Sequence, residues 1–324
     1  MKAAAAQPNV RRTELTSLEG EHVSEYRYPA GQPVSWFKQS KSRSNQHCLY
    51  CGRFVGEPSA LDSNREHLIG RNFVPKGYLG ATDFNFIFRS CVECNRSKAD
   101  AEGHVSVISL HNSAARAEDR HVDAVASHKA GRAFYPGKKA QLVKDSSTTH
   151  TVESSFGALK MSATFVAPPQ LDRDRAATLA FRQTQALFSL VTAQDPCNGE
   201  GAKILSDSEW QYVDFYPSRD WGNPHLVEIA NRVRSWKSVA YIETARGHFR
   251  AVLRAHEDPS REWFWALEWN REVRGVGAIC RGSEAPPVFV GLPPLRWTTL
   301  PGPARRMREE TPLDPESDIL FEAP

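Results

Sequence analysis

Two Cys-x-x-Cys pairs, Cys48-Leu-Tyr-Cys51 and Cys91-Val-Glu-Cys94, constrain this chain more than any other feature. Four thiolates at two such corners make a closed tetrahedral zinc site, with no coordination position left for water or substrate. Closed sites are structural. This one ties together segments separated by 39 residues, and it lets a short hairpin and helix keep a shape that they could not bury enough surface to hold alone. Gly52 follows the first pair directly and allows the backbone to turn back beneath the metal. Cys197 and Cys280 stand alone and read as small buried hydrophobes.

A length of 324 residues suggests two domains, and ordinary charged (24%) and apolar (40%) fractions indicate a soluble globular chain. No apolar run is long enough to cross a bilayer, so no membrane partner is expected. Met1-Lys2 and four alanines turn polar too soon for a signal peptide, and the cytoplasm is the expected compartment. There, paired Cys-x-x-Cys motifs more often hold zinc than disulfides. The net charge of +3 is uneven. Residues 36–98 carry ten Lys/Arg against five Asp/Glu, which is +5 and leaves −2 for the rest. That excess suits a phosphate-rich partner, and a merely solvated basic face would explain it as well.

The expected fold class is α+β: an N-terminal zinc-stapled unit followed by a C-terminal α+β domain whose antiparallel sheet packs against helices. Residues 1–45 read as a polar arm, partly disordered, with a basic end at Lys38, Lys41 and Arg43. The zinc-bearing domain occupies 46–135, a Lys-, Ser- and Thr-rich linker 136–155, and the second domain 156–285. An extended Pro-rich tail, 286–324, follows; nine of the 21 prolines fall in the last forty residues. Within the first domain, 84–88 is strand-like, Asn95 is a good N-cap for a helix, and 114–133 looks like a second helix stopped by Gly131 and Pro136. The second domain opens with a strand over 156–166 and a strongly amphipathic helix over 171–193, with Ala176, Leu179, Ala180, Leu187, Leu190 and Val191 on one face. A shorter helix spans 224–236. The period then switches to two, and 241–243, 248–255, 262–270 and 273–280 read as an antiparallel meander. Trp263, Trp265, Leu267 and Trp269 share one side. Such a row is a core face or a ligand platform, and the core reading is preferred.

Between the cysteine pairs lie Arg65-Glu66-His67-Leu68-Ile69-Gly70-Arg71 and Asn85, and the second pair runs into Asn95-Arg96-Ser97-Lys98. This combination resembles the HNH endonuclease family, the ββα-metal nucleases, in its variety with a four-cysteine structural zinc site. The likeness covers about residues 46–112 and does not extend to the C-terminal half. The family pattern is an Asp/Glu-His pair, then an Asn, then Asn or His just after the second Cys-x-x-Cys, often followed by Lys. The resemblance implies a hairpin and helix wrapped round a catalytic cation. His67 would be the general base, Glu66 and Asn95 the cation ligands, Asn85 a brace for the hairpin, and Lys98 a phosphate contact or charge balance. Oxygen donors suit Mg²⁺, with Mn²⁺ as substitute. Two departures stand out: Glu66 where Asp is frequent, and Asn95 rather than His. Plainer roles exist for each residue. His67 can be a buried structural histidine, Glu66 can pair with Arg65 or Arg71, Asn95 can only cap, and Lys98 can be solvated. Asp100 and His104, further along the helix, read as structural, with the alternative that they assist the site.

The resemblance implies a metal-dependent endonuclease hydrolysing phosphodiester bonds in nucleic acid, DNA favoured over RNA. The C-terminal domain would be regulatory or targeting, with a ligand or protein partner, for instance a small nucleotide signal. No Gly-rich phosphate loop occurs there. By family analogy alone, the setting would be phage defence or restriction. The alternative is a non-catalytic zinc-ribbon nucleic-acid-binding protein, which needs the cysteines and basic surface but neither Glu66 nor His67.

Overall fold

Runs of residues buried almost throughout, at 249–255, 262–269 and 273–280, form the centre of the largest sheet, which has seven strands. The computed structural model describes residues 13–16, 22–27, 45–56, 61–80, 84–136, 140–157, 159–193, 202–258, 262–280, 285–299 and 306–322. Cys197, Lys38, Lys41 and Arg43 lie outside them. In chain order the elements are β1 (Thr13–Thr16), β2 (His22–Arg27), β3 (Ser63–His67), β4 (Ile87–Cys91), α1 (Val92–Asn112), α2 (Ala115–Glu118) and α3 (Arg120–Ala130). Then come β5 (Thr148–Phe156), β6 (Leu159–Ala167), α4 (Arg173–Thr192), β7 (Trp210–Pro217), α5 (Pro224–Val233) and β8 (Lys237–Thr244). The last are β9 (Phe249–Ala255), β10 (Glu262–Trp269), β11 (Val273–Cys280), β12 (Trp297–Thr299) and β13 (Arg306–Arg308). The sheet order is β1-β2-β8-β9-β10-β11-β7, with β2 parallel to β8 and the remaining neighbours antiparallel. Pairs β3–β4, β5–β6 and β12–β13 form separate two-stranded ribbons.

Both faces of the sheet are covered. The tryptophan row lies on the face under α4: Trp269 Nε1 donates to Gln183 Oε1 at 2.9 Å, and Trp263 meets Phe188 edge-on. It is a core face, because a row of indoles on a central strand needs a helix to remove it from water. The opposite face packs Val252, Phe264, Ala266, Val276 and Ala278 against Leu226, Ile229 and Val233 of α5 and against Leu320 and Phe321.

Several boundaries differ from the sequence reading. The arm over 1–45 contains two strands, and β2 pairs with β8. The expected linker over 136–155 includes most of β5. The segment read as an extended tail returns to the sheet, because Leu320 and Phe321 are apolar enough to bury and buried Arg274 needs the Asp318 carboxylate, Nη2–Oδ2 2.5 Å. The helix expected at 114–133 is two helices. Asp119 breaks it by accepting from His121 N and Val122 N, which starts α3. Asn95 is not an N-cap: α1 begins at Val92 straight after β4, with extended Cys91 at the boundary. The two halves also share one continuous buried core that runs from Cys48 through α1 and α4 to Ile279. Among the described residues, no helix is long and apolar enough to cross a membrane.

Candidate metal centre and hairpin site

Cys48 and Cys51 sit on a turn closed by Gly52 N donating to Cys48 O at 2.8 Å, and Gly52 adopts φ 70°, which glycine reaches without a steric penalty. Cys91 ends β4, and Cys94 lies in the first turn of α1. The four sulfurs fall within 4.8 Å of one another, and Cys51 and Cys91 are 3.8 Å apart. A tetrahedron with Zn–S of about 2.3 Å has edges of about 3.8 Å, so this donor set fits zinc. Cys48, Cys91 and Cys94 are buried, and the sulfurs share protons: a hydrogen bond from Cys94 lowers the Cys48 pKa and raises that of Cys94, and burial raises Cys91. Arg53 covers the exposed side, donating to Cys51 Sγ at 3.2 Å and to Cys91 Sγ at 3.5 Å while pairing with Glu93 at 2.6 Å.

The sulfurs anchor a hairpin in which Glu66 pairs with Phe88 and His67 with Ile87, and α1 lies across its Asn64–Glu66 face. Asn95 Nδ2 donates to Asn64 Oδ1 at 2.6 Å. One helical turn later, Lys98 Nζ contacts Glu66 Oε1 at 2.8 Å, Glu102 Oε1 at 2.7 Å and His67 O at 2.8 Å. Lys98 is fully buried. Burial opposes its charge, but Glu102 and Glu66 together hold the ammonium above its ordinary pKa. Lys98 therefore binds two carboxylates and the hairpin backbone; it is neither solvated nor able to reach a phosphate. Glu102 also accepts from Gly70 N at 2.9 Å, and a Cβ at Gly70 would overlap the Glu102 carboxylate. Lys98 and Glu102 thus fix the strand and the loop that leaves it.

Asn85 works on the same loop, accepting from Ile69 N at 3.1 Å and donating to Ile69 O at 2.8 Å. Between these contacts and the Lys98 bond to its carbonyl, His67 has a fixed backbone. Its ring is half-buried. Burial first, then Arg71, Lys98 and Arg65, lowers its pKa to about 4, so the imidazole is neutral at physiological pH. Strand side chains alternate, so His67 leaves β3 on the face opposite Glu66.

The structure thus groups Glu66 with Lys98, Asn95 with Asn64, and Asn85 with the loop behind His67. Glu66 is 6% exposed with its Oε1 on an ammonium, and Asn95 donates its Nδ2 to Asn64, a bond in which its Oδ1 takes no part. With the buried Glu66 carboxylate already neutralised by Lys98, this donor set does not fit a hard divalent cation. Asp100 is exposed. His104 is a structural tie, its Nε2 accepting from Asp172 N at 2.9 Å. Sequence reasoning missed Glu102, although its i,i+4 spacing from Lys98 marks an ion pair. It also missed Gln183 and Gln185 of α4. Gln183 donates to Leu68 O at 3.3 Å, and Gln185 to Tyr50 O at 2.7 Å. Two buried amides on an apolar helix face were the available signal. Compared with protein-family models, curated proteins and solved structures, the chain matches none.

Proposed function

We propose that this chain is a zinc-stapled endonuclease of the HNH type that hydrolyses phosphodiester bonds in DNA, with His67 as general base. The observation that carries this reading is the placement of His67, a half-buried imidazole at the end of a thiol-anchored hairpin strand between exposed Arg65 and Arg71; burial first, then Arg71, Lys98 and Arg65, lowers its pKa and favours the neutral ring. A neutral imidazole accepts a proton from water as the water oxygen attacks phosphorus and the P–O bond to the leaving oxygen breaks. Exposed Arg65 and Arg71 flank it and suit the non-bridging oxygens of a phosphate. Zinc in the sulfur cage would contribute shape alone. Contacts of this kind grip backbone rather than base edges, so sequence preference would be weak, and targeting would fall to the sheet-bearing half.

The test is nicking of supercoiled plasmid by the full chain with Mg²⁺, with Mn²⁺ and with neither. The wild type should nick, and His67→Ala should lose about 10²–10⁴-fold in rate, with zinc content and circular dichroism unchanged. Undiminished cleavage by His67→Ala overturns the assigned base.

The buried Lys98–Glu66–Glu102 group favours a second reading. If Glu66 serves structure alone, the zinc unit is a nucleic-acid-binding module without catalysis. That reading expects salt-sensitive DNA binding and no nicking in any divalent cation.

A further inference from the structure

Two turns at one end of the sheet carry arginines in backbone conformations that disfavour them. The β8–β9 turn holds Ala245 and Arg246 at φ 52° and 56°, and the β10–β11 turn holds Asn270 and Arg271 at φ 53° and 56°. Left-handed backbone penalises any residue with a Cβ, and tight hairpin turns of this hand favour Asn and then Gly. Asn270 is accounted for. Asparagine tolerates this region, and its amide donates to Phe73 O at 3.2 Å and to Ser109 Oγ at 2.9 Å. Among the described residues, Arg246 and Arg271 each have a single surface contact, with the Tyr78 ring and with Glu118, and both side chains are exposed.

Their surroundings are basic. The Arg246 guanidinium stacks 4.3 Å from the centre of the Tyr78 ring. That ring lies 5.4 Å from His121, whose Nε2 is 2.7 Å from Lys76 O, and both Lys76 and His121 are exposed. Of the nearby carboxylates, Asp119 is occupied by the Tyr78 hydroxyl and by the amides that begin α3, Glu118 meets Arg271 at 3.3 Å, and Glu243, beside Gly247, pairs with Arg250 at 3.2 Å.

We infer that Arg246 and Arg271, with Lys76, form an anchor for the phosphate backbone of a DNA duplex, set apart from the hairpin site. The identity of the ligand rests on the nuclease reading. Helix α1 gives the spacing: Lys98 touches Glu66 and His67, whereas Ser109 and Ser113 touch Asn270. The 15 residues from 98 to 113 rise about 22 Å at roughly 1.5 Å each. Duplex DNA carries one charge per roughly 1.7 Å of axis, so a single duplex can reach both places. Glycine would suit the turns better, and a binding role accounts for arginine where the fold is served by something smaller.

Anisotropy of a 25-bp labelled duplex tests this with the full-length His67→Ala chain, so that cleavage does not intervene. Potassium chloride is varied from about 50 to 300 mM without chelator, since log K against log salt counts displaced ions. Two doubles, R246Q/R271Q and R246G/R271G, are compared with the parent and with Lys160→Gln on exposed β6. Both doubles should bind at least tenfold more weakly at 100 mM salt, with the slope reduced by about 1.8, roughly 0.9 for each lost phosphate contact. The glycine double should also unfold at a higher urea concentration, and Lys160→Gln should match the parent. An unchanged slope in either double, or a lower urea midpoint for the glycine double, overturns the anchor and leaves the nuclease reading intact. A parent chain that binds no DNA overturns both.

Discussion

Lys98 is fully buried between Glu66 and Glu102, and its removal strands two carboxylates out of water. Breaking a buried ion group by deleting one partner costs about 3–5 kcal/mol, so Lys98→Met should lower urea stability by that order. Adding Glu66→Gln and Glu102→Gln should recover much of the loss, because the stranded charges go with them. His104 gives a pH signature. Its Nε2 accepts a hydrogen bond and must stay unprotonated, and burial first, then Arg175, lowers its pKa from 6.5 to about 4. Above pH 6.5 neither folded nor unfolded chain holds the proton. Between 6.5 and about 4 only the unfolded chain takes it up, so stability falls as pH falls through this window, by up to about 1.4 kcal/mol per pH unit. Urea titrations at several pH values should show a shallower acid slope for His104→Gln. At this scale the sequence was only partly legible. The Lys98–Glu102 spacing is local, whereas the Lys98–Glu66 contact depends on how a helix crosses a strand 32 residues earlier.

Elements built on strong periodicity were readable. Helices α4 and α5 and strands β8 to β11 fall within a few residues of the expected spans, because each buries a regular stripe. What periodicity could not reveal was pairing. Nothing local in 13–27 specifies a partner some 210 residues away, and β5 has too little apolar character to announce itself. The N-terminus of α1 was misplaced because Asn95 has the chemistry of a cap, while the actual start is set by the strand that delivers Cys91. Glycine 277 was equally silent in sequence. It lies at the irregularity where β11 meets β7, and a Cβ there would overlap Gln211 O and the Trp265 ring. A rigid carbonyl and a packed indole cannot both yield, so Gly277→Ala should cost about 3 kcal/mol or more by urea unfolding.

At the scale of the whole molecule, the shared core argues against two independent units. Thr244 donates to Phe84 O at 3.3 Å, Ser113 to Asn270 O at 2.9 Å, and Gln183 touches both Leu68 and Trp269. Unfolding should therefore be one transition, with tryptophan fluorescence and far-UV circular dichroism superimposing. Two separated transitions would restore the two-domain reading. The C-terminal return is part of that unit. Phe321→Ala should cost about 3–5 kcal/mol, since its ring is buried in the cluster that includes Val252 and Phe264. The long reach of these contacts also bears on biosynthesis. Phe73 waits for Asn270, 197 residues downstream, before its carbonyl finds that amide. At about 5–20 residues per second a ribosome needs roughly 10–40 s to make that stretch. During the interval the nascent hairpin has neither its floor nor its far wall. A metal-closed ring of sulfurs, complete once Cys94 emerges, can act as temporary scaffolding for a half-built fold.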